Sequence, residues 1–172
     1  MTHDDFMSKL LKEQRAENFQ KPFDHVPIRP EQEFLDVMDK QIGGGTTREV
    51  FSVRGRDDVV IKRVKAVTPF NNWCEYIVWN AARATRWASV LAAVEMISHS
   101  GQYLMMERLS PLSADDTSNA PNVPYWLNDL KIANFGKTSG GAIKALDYAH
   151  VNLGFDLDEA LPWQVPWRNR TD

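Results

Sequence analysis

Residues 41–64, QIGGGTTREVFSVRGRDDVVIKRV, restrict the fold more than any other stretch of the chain. Val50, Phe51 and Val53 precede a charged turn, RGRDD, and Val59, Val60 and Ile61 follow it, which predicts a β-hairpin leading to a third strand. The period then changes. In NNWCEYIVWNAARATRWA, Trp73, Ile77 and Ala81 recur at helical intervals, with Asn71 or Asn72 as the N-cap. Two apolar runs follow, split at His99-Ser100-Gly101, and predict two more strands around a tight turn; Val90 to Ala93 reads equally well as an extension of the helix. The expectation is an α+β fold: an antiparallel sheet with one main helix.

Around this centre the signals are simpler. Phe6, Met7, Leu10 and Leu11 lie at helical spacing in residues 4–18, and Pro22, Pro27 and Pro30 mark an extended connector over 19–30. Pro30 is placed to start a short helix through Phe34, Leu35, Val37 and Met38. Residues 110–124, rich in Ser, Asp, Asn and Pro, predict an exposed connector, and the last segment has two Trp-containing turns fixed by Pro162 and Pro166. The chain divides into an N-terminal helical extension and connector (1–40), a sheet-and-helix region (41–109) and a loop-rich region with a tail (110–172).

Composition narrows the function classes. A length of 172 residues suits one domain, and 43% apolar with 25% charged residues supports a folded core. A net charge of −3 provides no global field for nucleic acid or an anionic membrane. Trp163, Trp167, Arg168 and Arg170 are read as anchors of the tail and not as a platform for single strands. The single cysteine, Cys74, fits a reducing compartment. The acidic, mixed N-terminus is no secretory signal, and the apolar run 87–97 is shorter than the roughly 20 residues a membrane helix needs. A cytoplasmic protein is expected, without membrane or nucleic-acid partners. His3, His25, His99 and His150 are scattered without metal-ligand spacing.

An ordered series of positions carries candidate chemistry. Gly43, Gly45, Arg48 and Val50 form G-x-G-x-x-R-x-V before a strand, where glycine lets the backbone approach phosphates closely. Lys62 ends VVIK, and Glu75 follows 13 residues later (75−62) in the predicted helix, in reach of an ion pair. Asp129 and Asn134 fit D-x-x-x-x-N with Lys131 between them, and Asp147 ends an apolar run. Two carboxylates and an amide are what a site needs to orient a nucleophile and hold Mg²⁺ against phosphates. Singly, each has an ordinary reading as a turn, a cap or a solvated charge; their order is the signal.

In that order the sequence resembles the eukaryotic-like protein kinase superfamily over about residues 41–149. IGGGTTREVFSV is similar to the glycine-rich loop, VVIK to the strand with the ATP-binding lysine, and YLMMERL to the strand leading into the hinge. NDLKIAN resembles the catalytic loop HRDLKxxN, and IKALDYA the segment ending in DFG. The resemblance implies a kinase-like N-lobe and the cofactors ATP and Mg²⁺. Gly43, Gly45 and Val50 would cover the nucleotide, Lys62 would contact its phosphates and pair with Glu75, and backbone near Glu107 would bond adenine. Asp129 would orient the acceptor hydroxyl and take its proton, Lys131 would steady the phosphoryl group, and Asn134 and Asp147 would hold the metal.

The pattern also departs. Leu127-Asn128 replaces His-Arg, Arg48 stands at the third glycine, and DFG is Asp147-Tyr148-Ala149. Only 25 residues follow Asp147 (172−147), so a strongly truncated C-lobe is expected. Small divergent kinases of bacteriophages depart in similar ways. The resemblance therefore implies a minimal serine/threonine kinase acting on a protein substrate, itself or a host protein, or else a pseudokinase that binds such a partner without transfer. A homodimer is a further expectation, through apolar surface that the missing helices would leave uncovered.

Overall fold

A computed structural model describes residues 25–65, 70–113, 116 and 121–151 of the chain. The helix expected over 4–18, the Trp-containing tail and most of the proline connector lie outside the described residues. From Ile28 the chain forms strand β1 (Ile28–Arg29), helix α1 (Glu31–Val37), and strands β2 (Met38–Gly44), β3 (Arg48–Val53) and β4 (Arg56–Val64). Helix α2 (Phe70–Ala82) follows, then a 3-10 turn (Arg86–Val90) and strands β5 (Val94–Ser98) and β6 (Tyr103–Glu107). A smaller sheet is built from β7 (Ser110–Pro111), β8 (Phe135–Lys137) and β9 (Ile143–Ala145).

The larger sheet runs β1-β5-β6-β4-β3-β2, antiparallel except for the β1/β5 edge pair. The fold is α+β, as expected. Its β3/β4 hairpin turns at Gly55, with φ +75°, in the RGRDD segment. Alternation along β4 and β6 sorts the core into two layers, because successive strand residues point to opposite faces. Val59, Ile61, Tyr103 and Met105 face outward onto α1, where Phe34 is fully buried and stacks on Tyr103 at 5.9 Å between ring centroids. Val60, Leu104 and Met106 face inward, joining Val78 and Ala82 of α2 and Tyr148, Phe135 and Ala145 of the later segment.

Helix α2 does not continue through the alanines. It ends at Ala82, and the Thr85 hydroxyl accepts from the Trp87 N–H to cap a separate 3-10 turn, after which Leu91 is extended. Asn72 is not used as an exposed cap. It is buried, and its Nδ2 lies within 3.0–3.2 Å of the carbonyls of Lys62, Gly101 and Gln102, which pins the first turn of α2 to β4 and to the β5/β6 turn. That turn needs Gly101, since its φ is +76° and a Cβ there would meet the Trp73 ring.

A backbone bridge registers the smaller sheet against the larger one. Leu91 bridges Ala145 in parallel, and the Ala92 N–H donates to the Ala145 carbonyl at 2.8 Å, so β9 is registered against the chain entering β5. Among the described residues, no helix is long and apolar enough to cross a membrane.

Candidate functional site

On the inward face of β4, the residue after Ile61 is a lysine where the pattern would otherwise place an apolar side chain. Lys62 is 4% exposed, and its Nζ lies 2.9 and 3.0 Å from the two carboxylate oxygens of Glu75, which α2 presents fully buried. The Lys62 ammonium also donates to the carbonyl of Leu146, the residue before Asp147. Burial pushes the Lys62 pKa down, and the nearby Arg48 adds to this against the opposing pull of Glu75 and Asp147.

Arg48, which stands where the glycine pattern of the sequence is broken, completes the cluster. It is 6% exposed; one guanidinium nitrogen reaches Glu75 Oε2 at 2.7 Å and the other Asp147 Oδ1 at 2.7 Å. Burial opposes its charge, yet Glu75 and Asp147 outweigh that and raise its pKa. At Asp147 burial alone would raise the carboxyl pKa, but Lys62 and Arg48 bring it down to about 2. Two cations and two carboxylates thus balance. A signal for Arg48 was present: it lies two residues before Val50 on β3, so alternation puts both on one face, and Val50 pairs with Lys62 across the hairpin.

The D-x-x-x-x-N segment is folded against the same place. The Asn134 Nδ2 donates to the Asp129 carbonyl at 3.0 Å, closing the loop, and the Asn134 carbonyl accepts from the N–H groups of Leu146 at 2.8 Å and Asp147 at 3.3 Å. Asp129 is half-buried, and Lys131, exposed, approaches its Oδ1 at 3.6 Å. Tyr148, at the position of the expected Phe, is buried; its N–H donates to Glu75 Oε1 at 3.2 Å and its hydroxyl to the Ala92 carbonyl at 2.7 Å. The hydroxyl bond is the one that a Phe at this position could not make.

The glycine turn and the hinge differ in how much their residues are already engaged. Gly43 pairs with Val50, while neither Gly43 nor Gly45 has positive φ, and a Cβ at Gly45 would meet nothing within 4 Å. Packing within the chain therefore does not demand glycine at either position. Glu107, by contrast, is committed: its N–H donates to the Ala93 carbonyl at 2.7 Å, and its carboxylate accepts from the Ala93 N–H at 3.1 Å and from Lys144 at 2.8 Å.

The structure brings Lys62, Glu75, Asn134 and Asp147 into one bonded network, and adds Arg48 and Tyr148 to it. Asp129 and Lys131 join through Asn134; Gly43 and Val50 lie on β2 and β3 and Gly45 in the turn between them; Glu107 stands at the far end of β6. For Mg²⁺, the Asn134 amide oxygen and the Asp147 carboxylate are hard oxygen donors of the right kind, with Asp147 Oδ1 already on Arg48. Among the described residues no group of three or more His, Cys, Asp and Glu side chains gathers as a metal cage. That is compatible with a cation shared between one or two protein ligands and a phosphate. No family model matches the chain, and no curated protein matches it.

Proposed function

We propose that the chain is an ATP-dependent, protein-kinase-like phosphotransferase that moves the γ-phosphoryl group to a Ser or Thr hydroxyl of a protein. The observation that carries this reading is the fully buried Glu75 shared by Lys62 and the Asp147 segment. A lysine and a glutamate buried together contribute little to stability compared with apolar residues, so their presence favours a task. The antiparallel run β5-β6-β4-β3-β2, with α2 between β4 and β5, agrees with the N-lobe that the sequence resemblance implies.

In this reading Lys62 and the backbone of residues 43–45 bind the phosphates, and Val50 covers the base. Asp129 holds the acceptor hydroxyl and takes its proton as the hydroxyl oxygen bonds to the γ-phosphorus and the bond from phosphorus to the ADP oxygen breaks. Asn134 and Asp147 would hold Mg²⁺, which when bound neutralises phosphate charge. Tyr148 and Asn134 keep the Asp147 backbone in place.

A second reading, a pseudokinase that binds its partner without transfer, is favoured by the guanidinium already on Asp147. Thermal-shift titration with ATP and Mg²⁺, followed by assay of γ-phosphate transfer to the protein itself or to a lysate, separates the two. Transfer that falls by about 10²–10⁴ in Asp129→Ala with nucleotide stabilisation retained supports the enzyme. Stabilisation without transfer in the wild type supports the binding module, and no stabilisation at all sinks the enzyme.

A further inference from the structure

We propose that Arg48 sets the cation requirement of this site: its guanidinium and a divalent metal ion compete for the Asp147 carboxylate. The inference rests on the nucleotide-site reading above, but its physical basis is independent of which anion arrives. Asp147 Oδ1 accepts from Arg48 at 2.7 Å and from the Ala149 N–H at 3.5 Å, so the carboxylate that would bind a metal already carries a cation on one of its two oxygens. The same guanidinium also donates to Glu75 Oε2 at 2.7 Å, and Glu75 is bonded besides by Lys62 and the Tyr148 N–H.

Charge decides how the competition runs. With Arg48 in place the four side chains sum to zero, from Lys62 and Arg48 against Glu75 and Asp147. A divalent ion entering beside them adds two positive charges to a neutral cluster whose cations already crowd one another, so it binds weakly until the guanidinium withdraws. Withdrawal is local: Arg48 is the first residue of β3, next to the exposed turn 45–47, and Lys62 with the Tyr148 N–H still satisfies Glu75. Arg48 is therefore a positioning residue, which holds Asp147 while the site is without metal and releases it as metal enters.

The test uses the full chain and Mn²⁺ alone as the probe, read by electron paramagnetic resonance. Arg48→Gln should bind Mn²⁺ about tenfold more tightly than wild type, a coupling within the usual allosteric range, and Arg48→Gln/Asp147→Asn should lose that gain. Arg48→Lys, which keeps the charge but cannot bridge both carboxylates, should lie between them and serves if the glutamine variant does not fold. Reciprocally, added Mg²⁺ should free the Arg48 guanidinium from slow rotation in ¹⁵N spectra of the wild type. Unchanged or weaker Mn²⁺ binding in the folded Arg48 variants overturns the proposal. Loss of ATP binding in them, with metal affinity unchanged, overturns it too and makes Arg48 a phosphate ligand. A Mn²⁺ gain without ATP binding in any variant leaves the competition standing and removes the kinase reading.

Discussion

The two faces of β4 and β6 are built from alternate residues of the same strands, yet they solve burial differently. Outward, Ile61, Val59, Tyr103 and Met105 meet Phe34 in a layer of apolar side chains. Inward, the strand positions beside Val60 and Leu104 include Lys62, with Arg48 and Glu75 sealed in next to it. The outer layer needs only shape and hydrophobicity. The inner one bears the desolvation of four charges and repays it by exact pairing in geometry, which a fold under selection for stability alone would replace by methyl groups. The difference separates a layer that needs only apolar packing from one that packs a large apolar core around four paired charges.

The comparison breaks most visibly at Glu75. Glu75→Ala leaves two buried cations facing each other and should cost about 3–5 kcal/mol in urea unfolding, whereas Lys62→Met/Glu75→Leu should recover that loss because Arg48 and Asp147 remain as a pair and no charge is left unpaired. A double variant as unstable as the single one would make the charges essential to the fold itself. On the outer face Ile61→Ala should cost about 2–4 kcal/mol through the cavity it leaves, with ATP stabilisation unchanged. A change in nucleotide response there would mean that the two layers are not separable.

Next in size is ligand linkage. ATP at a hundred times its dissociation constant should stabilise the wild type by about 2.7 kcal/mol, and Lys62→Met should abolish most of that shift. An intact shift removes Lys62 from the site. The smallest effect is that of acid. The Asp147 pKa is depressed to about 2 in the folded protein, so its contribution is present above the unfolded value near 3.9 and is lost as pH falls toward about 2. After discounting for its partial exposure this is about 1 kcal/mol, and Asp147→Asn should flatten that limb of the pH–stability curve.

Much of the larger sheet was legible because its strands alternate cleanly and its turns carry glycine: the β3/β4 hairpin, α1 after Pro30, α2 and the β5/β6 pair all lie where the periodicity placed them. The α2 boundary was not, since the alanines after Trp87 suit helix or strand and the outcome depends on Thr85 and on the tertiary bridge from Leu91 to Ala145. The short strands β7 and β8 have only two and three residues, too few for any period to declare itself. Lys62, Glu75, Asn134 and Asp147 could be found as an ordered series. Arg48 could not be found in the same way, because a series marks the places where a residue is expected, and Arg48 matters by standing where another was.

The contact between Arg48 and Asp147 spans 99 residues (147−48), and this has a consequence for synthesis. Elongation at about 5–20 residues per second puts Asp147 some 4–14 s behind Glu75, which precedes it by 72 residues (147−75). During that interval a nascent chain holds two cations and one carboxylate, a set with surplus positive charge that cannot be sealed from water without cost. The cluster reaches neutrality only when the β8/β9 hairpin has docked. Synthesis past Asp147 is thereby written into the electrostatics of the cluster, and a chain that stops before it carries an unbalanced charge there.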